Sequence, residues 1–178
     1  MKHSFSLSSW IGFGVTSLLG TLLHFLFDIT GGSVLVAPFS AVNESTFEHM
    51  KLLFWPLFLF AVVQYFFFRE EKGFWCIKLR GALLGLILIP TLFYTLNGVF
   101  GKTPDYINIS IFFIATGAVF LYESHLFEKG TMVRRPLICF SLFLFVGILL
   151  MIGTFAPLPI PLFRDPLTGN YGYQSIPT

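Results

Sequence analysis

The fold class this sequence predicts is all-α, an integral membrane bundle of five transmembrane helices, and three observations predict it. Hydrophobic residues make up 55% of the 178 and charged residues only 11%. A soluble domain carries roughly 25% charged residues, so this chain lacks the polar surface of a water-soluble fold. Five long apolar runs, none with a charge at its middle, alternate with short connectors that hold most of the charge. Spanning a hydrocarbon core of ~30 Å takes about 20 mostly apolar residues in a helix, and each run is close to that length.

The five spans are expected at 9–28, 50–68, 76–97, 106–123 and 136–155, within a single transmembrane domain covering 1–178. The first follows Lys2, but its apolar stretch from Trp10 to Phe27 exceeds the roughly 7–15 residues of a signal peptide core. It is read as a retained helix. Gly12, Thr16, Gly20, His24 and Asp28 recur every fourth residue along it, and the small members at one end of that stripe suit close helix packing. The second span opens with Ser45-Thr46-Phe47-Glu48. That is a capping-box pattern, in which Ser45 accepts from the Glu48 amide and Glu48 reaches back to the Ser45 amide.

Pro56 in the second span and Pro90 in the third each remove a helical amide. Gly81-x-x-x-Gly85 in the third permits close packing. Glu123, His125 and Glu128, at the end of the fourth span and beyond it, are expected in a solvated, charged connector. Beyond Phe155, Pro157, Pro159, Pro161 and Pro166 exclude a continuing helix. Residues 156–178 are therefore an extended Pro-rich tail, expected to lie over the face from which the fifth span emerges.

Orientation follows from the basic residues of the connectors. Lys2, Arg69, Lys72, Lys78, Arg80, Lys129, Arg134 and Arg135 fall on one side; Lys51, Lys102 and Arg164 fall on the other. The N-terminus is thus expected inside and the C-terminus outside. The net charge of +2 is too small for nucleic-acid binding. Membrane lipids are the expected partners, with a protein partner or homo-oligomer left open. Cys76 and Cys139 have no metal-site spacing; a disulfide between them is possible in principle but nothing in their spacing supports it, and they are expected as buried small apolar side chains.

Candidate functional residues concentrate at the predicted outer face. His24 and Asp28 end the first span one turn apart, so the carboxylate is placed to orient the imidazole. Asn43, Glu44, Glu48 and His49 surround the start of the second. Glu48 and His49 are the candidates for acid/base catalysis, and His24, Asp28, Asn43 and Glu44 for binding. His24, Asp28, Glu48 and His49 are the candidate ligands of a divalent metal, since imidazoles with carboxylates suit Zn²⁺, Mn²⁺ or Fe²⁺. Capping accounts for Ser45 and Glu48 without any chemistry, and His49 lies about 100° around the helix from Glu48. No nucleotide-binding glycine loop and no nucleophile motif occur.

The segment His24-Phe25-Leu26-Phe27-Asp28, followed by Pro38-Phe39-Ser40-Ala41-Val42-Asn43-Glu44-Ser45-Thr46-Phe47-Glu48-His49-Met50-Lys51, resembles a family of small bacterial membrane proteins described only as a domain of unknown function. Its usual segment reads Pro-Val-Asn-Glu-Ser, any residue, an aromatic, then Glu-His, any residue, Lys. This chain departs at Ala41, where proline is usual, and at Phe47, where tryptophan is commoner. The tail from Pro161 to Gly172 is similar to the family's ending. The resemblance implies five helices in a bacterial plasma membrane and no known activity.

Three functions from different classes fit these residues. One is an extracytoplasmic metal or acid/base site acting on a lipid or lipid-linked substrate. A second is a small cation- or proton-coupled transporter using Asp28, Glu44 and Glu48. The third is a non-catalytic accessory subunit whose motif docks the tail.

Overall fold

The computed structural model describes residues 2–71, 73–101, 103–130 and 135–174. Lys72, Lys102 and Arg134 of the charge count, and the last four residues of the tail, lie outside the described residues. Five helices follow one another: α1 Lys2–Ile29, α2 Thr46–Phe68, α3 Phe74–Phe100, α4 Asp105–Lys129 and α5 Pro136–Phe155. A 3₁₀ turn, Pro161–Phe163, sits in the tail. All five helices are long and apolar enough to cross a membrane.

Local chemistry sets the ends. Gly31 and Gly32 both take positive φ after α1, and Gly32 N–H donates to the Phe27 carbonyl at 2.9 Å, a glycine stop that satisfies an orphan carbonyl. Gly130, left-handed at φ 63°, ends α4 in a similar way. Pro136 opens α5 at a position where its missing N–H costs nothing. Ser45 caps α2, its hydroxyl accepting from the Glu48 amide at 3.4 Å. The other half of the expected capping box does not form: the Ser45 amide donates to Asn43 Oδ1 instead. Glu48 is drawn into the bundle.

Packing runs α1 on α2 and α4, α2 on α3, and α3 on both α4 and α5. Fully buried Leu53, Phe54, Leu57 and Phe143 form its centre. Phe5 of α1 stacks on Phe127 of α4 at 3.8 Å and meets Phe68 of α2 edge-on at 5.1 Å. The start of α1 thus lies beside the ends of α2 and α4, the up-and-down arrangement expected of consecutive spans. Gly20 is a required glycine: a Cβ there would collide with the Phe112 ring and the Leu52 carbonyl. The expected small-residue stripe of α1 is therefore its packing face, with Thr16 also buried.

Two sequence expectations need correcting. Cys76 and Cys139 are not separate apolar side chains but a disulfide, with an S–S distance of 2.03 Å. It joins the first turns of α3 and α5, which the linear sequence separates by 63 residues and the bundle brings side by side. Glu123 is not in a solvated connector. Helix α4 continues to Lys129, and Glu123 is wholly buried against wholly buried Lys78 at 2.5 Å. Gly81 makes room for it, since a Cβ at that position would strike the carboxylate. The Lys78 ammonium also lies 5.2–5.8 Å from the rings of Phe60, Phe74 and Phe120, a favourable site for a desolvated cation.

Candidate functional site

The nine residues from Asn43 to Lys51 supply two polar centres that face different ways from one helix start. The first is closed. Lys51 Nζ lies 2.6 Å from Glu48 Oε2 and donates to the Ala37 carbonyl at 2.8 Å and to Thr154 Oγ1 at 2.6 Å. Glu48 Oε2 accepts the Val42 amide at 3.0 Å, and its Oε1 is 3.3 Å from Thr154 Oγ1. Glu48, Lys51 and Thr154 are all buried. The network pins α2 to the connector 30–45 and to the end of α5. Each ion has several partners, which is what a buried charge requires.

The tail closes over the same region. Tyr173 N–H donates to the Thr154 carbonyl at 2.7 Å, and Asn43 Nδ2 donates to the Gly172 carbonyl at 3.1 Å. Phe47 stacks on Phe163 at 4.2 Å. Asp165 accepts from the Leu167 amide and the Thr168 hydroxyl, which holds the turn between the bridged residues Arg164 and Tyr171.

The second centre is open. His24 of α1, Glu44 of the connector and His49 of α2 each offer one ligand atom, all lying within 4.8 Å of one another. Glu44 is placed between the imidazoles: Oε1 is 3.6 Å from His24 Nε2, and Oε2 is 3.6 Å from His49 Nε2. The rings have centroids 5.4 Å apart. A separation of 3.6 Å is long for a hydrogen bond. It is close to the spacing of about 3.4 Å between two ligands of one tetrahedral ion with ~2.05 Å bonds. His49 Nδ1 is 2.9 Å from the Ser45 carbonyl. A carbonyl oxygen only accepts, so Nδ1 carries a proton, and in the neutral ring the Nε2 lone pair then faces Glu44, the usual outer-shell arrangement of a ligating histidine. His24 Nδ1 is buried with no hydrogen-bond partner.

The side chains of His24, Glu44 and His49 are 28%, 43% and 29% exposed, so the cluster is reachable from solvent. It forms a polar site of intermediate burial, able to coordinate a divalent metal or to move protons.

The structure thus sorts the sequence candidates. His24, Glu44 and His49 come together. Glu48 belongs to the closed network, on the side of α2 away from His49, as the 100° rotation between them requires. Asn43 braces the Ser45 amide and the tail. Asp28 is exposed, and its carboxylate makes no hydrogen bond or ion pair among the described residues. The carboxylate facing His24 is that of Glu44, brought back by the α1–α2 connector, a contact no helical spacing could reveal.

A cavity of about 680 Å³ adjoins the cluster, lined by residues of α1, α2, α3 and α4 and by Pro166 and Leu167 of the tail. Beside apolar side chains from four helices, its walls include the polar Thr21, Thr46, Asn97, Asp105 and Asn108. At its rim Thr103 bonds Asn97 and Asn108, tying α3 to α4.

A model of a family of unknown function (DUF6512) matches residues 1–173. No curated protein and no solved structure matches the chain.

Proposed function

The chain belongs to DUF6512, a family of unknown function, and from that premise we propose that it is a multi-pass membrane protein holding a divalent transition metal at His24, Glu44 and His49. The observation that carries this reading is the shared geometry of three ligand atoms within 4.8 Å, with His49 Nδ1 committed to the Ser45 carbonyl. Two imidazoles and one carboxylate match the donor set of catalytic zinc sites, which leave a fourth position for water or substrate. A metal there would polarise a bound oxygen or generate hydroxide near neutral pH. The excess of Lys and Arg at the other end supports an extracytoplasmic position in a bacterial plasma membrane. The Cys76–Cys139 disulfide lies at that basic end, and disulfides persist mainly in oxidising compartments. The bond therefore counts against a cytoplasmic position for that end, since Cys76 is buried but Cys139 is only partly so.

Tail docking belongs to the same segment but to other residues. Asn43, Phe47, Glu48 and Lys51 hold the cap together and leave Glu44 and His49 free for ligation. The test is elemental analysis of chain purified in detergent without chelator, beside His49→Ala, Glu44→Gln and Asp28→Asn. About one transition metal per chain, lost in the first two and kept in the third, is the expected result. Wild type carrying none after incubation with Zn²⁺, Mn²⁺ or Fe²⁺ would refute it.

A further inference from the structure

We infer that the cavity beside the His24/Glu44/His49 cluster takes one acyl chain of a membrane phospholipid, whose headgroup oxygen then lies at the cluster. The headgroup position rests on the metal-site reading above; the chain position rests on the cavity alone.

Helices α1 and α4 touch where Gly20 abuts Phe112, and both residues line the cavity together with His24 and Glu44 of the cluster. On α4 its wall runs from Asp105 to Phe113, a drop of about 12 Å into the span at 1.5 Å per residue. The floor consists of Leu52, Ile89 and Ile111, each 3% exposed, from three different helices. The mouth is different. Phe25, Ile109 and Phe113 line the cavity yet are 53%, 58% and 39% exposed, on helices whose outer surface is apolar enough for lipid. The opening therefore faces the bilayer sideways as well as the polar cluster at the top.

Such a shape selects an amphiphile. The polar lining, Thr46, Asn97, Asp105 and Asn108, belongs to the helix ends beside the cluster, whereas the deep part around Leu52, Ile89 and Ile111 offers a hydrated ion or sugar few hydrogen-bond partners. A cavity holding only water would be unfavourable there for the same reason, since a buried water needs two to four polar partners. A membrane phospholipid has the chain for the shaft and an oxygen ligand for the open position of a divalent metal at the top. It also reaches the mouth without leaving the bilayer. At about 680 Å³ the cavity has the size of an ordinary small-ligand site, room for one chain and too little for a whole lipid.

The experiment is native mass spectrometry of the purified chain, loaded with Zn²⁺ and titrated with palmitoyl-oleoyl phosphatidylglycerol or, separately, with glycerol 3-phosphate. Ile109→Trp and Thr21→Phe narrow the cavity from opposite helices. Ile114→Trp, equally exposed on α4 but outside the cavity, reports on lipid at the general surface. The expected result is one tightly held phospholipid per chain and no adduct with glycerol 3-phosphate. Retention should fall about tenfold, equivalent to ~1.4 kcal/mol, in both cavity variants and not in Ile114→Trp.

Equal retention in all three variants would overturn the proposal, because it would mean surface lipid only. So would binding of glycerol 3-phosphate as strong as that of the lipid. The metal content of wild type separates the two readings. If wild type binds no metal but the cavity variants still lose lipid selectively, the chain site stands and the metal reading falls. Metal bound with no selective lipid loss would have the opposite meaning.

Discussion

Glu48 and Lys51 point into the bundle from the first turns of α2, and Glu44 and His49 point out of it, yet all four belong to one eight-residue stretch. The inward pair is saturated. Between them the two ions engage Thr154, the Ala37 carbonyl and the Val42 amide, so no coordination capacity is left for a ligand. In the outward group, separations of 3.6 Å are too long for good hydrogen bonds, and His24 Nδ1 is buried without a partner. An unsatisfied buried polar atom costs about 1–3 kcal/mol. Saturated polar networks hold a fold together, whereas under-coordinated ones have capacity to spend on something else. The comparison gives one face of the turn a structural role and leaves the other able to take the proposed metal.

The sharpest way to break this division is to leave one ion of the inward network alone. Lys51→Met strands the Glu48 carboxylate and should cost about 3–5 kcal/mol, read as a fall in the detergent unfolding midpoint. The double variant Glu48→Leu/Lys51→Met should recover most of that loss, because the charge goes with its partner. No recovery would mean that the pair does more than compensate itself. Lys78→Met, at the opposite end, should cost a similar ~3–5 kcal/mol by stranding Glu123. There the Phe60, Phe74 and Phe120 cage loses its cation as well.

Reducing the Cys76–Cys139 bond should cost about 2–4 kcal/mol, measured by unfolding with and without a thiol reductant. Metal content should be unchanged, since the bond lies at the far end of the bundle from His24. A loss of metal on reduction would show that the two ends are coupled. The smallest effect belongs to the outward group. His49→Ala should change stability by less than about 1 kcal/mol while abolishing metal uptake. A large loss of stability would move His49 into the structural class and collapse the comparison.

Legibility in the sequence followed the range of each interaction. The predicted spans lie inside five observed helices because hydrophobic length is a local property, set by the bilayer thickness rather than by neighbours. The Ser45 cap was readable for the same reason, being a contact across three residues. The reciprocal Glu48 contact was not, because Thr154, 106 residues away, and Lys51 compete for the carboxylate once the bundle forms. The extent of α4 was missed at Glu123, whose charge marks a span end only when no buried cation awaits it.

By itself, then, the sequence determined that the chain is an all-helical bundle with five membrane-length helices, which residues start α2, and that the ionisable residues flanking the α1–α2 connector lie at one end. Only the tertiary structure decided which of them meet. The choice of Glu44 over Asp28 as the partner of His24, the joining of Cys76 to Cys139, and the cavity between α1 and α4 all depend on helix rotation and lateral position. Lipid and protein interior are similarly apolar, so hydrophobicity alone leaves both undetermined in a span. Close contacts such as Gly20 on Phe112 and Gly81 on Glu123 set them instead.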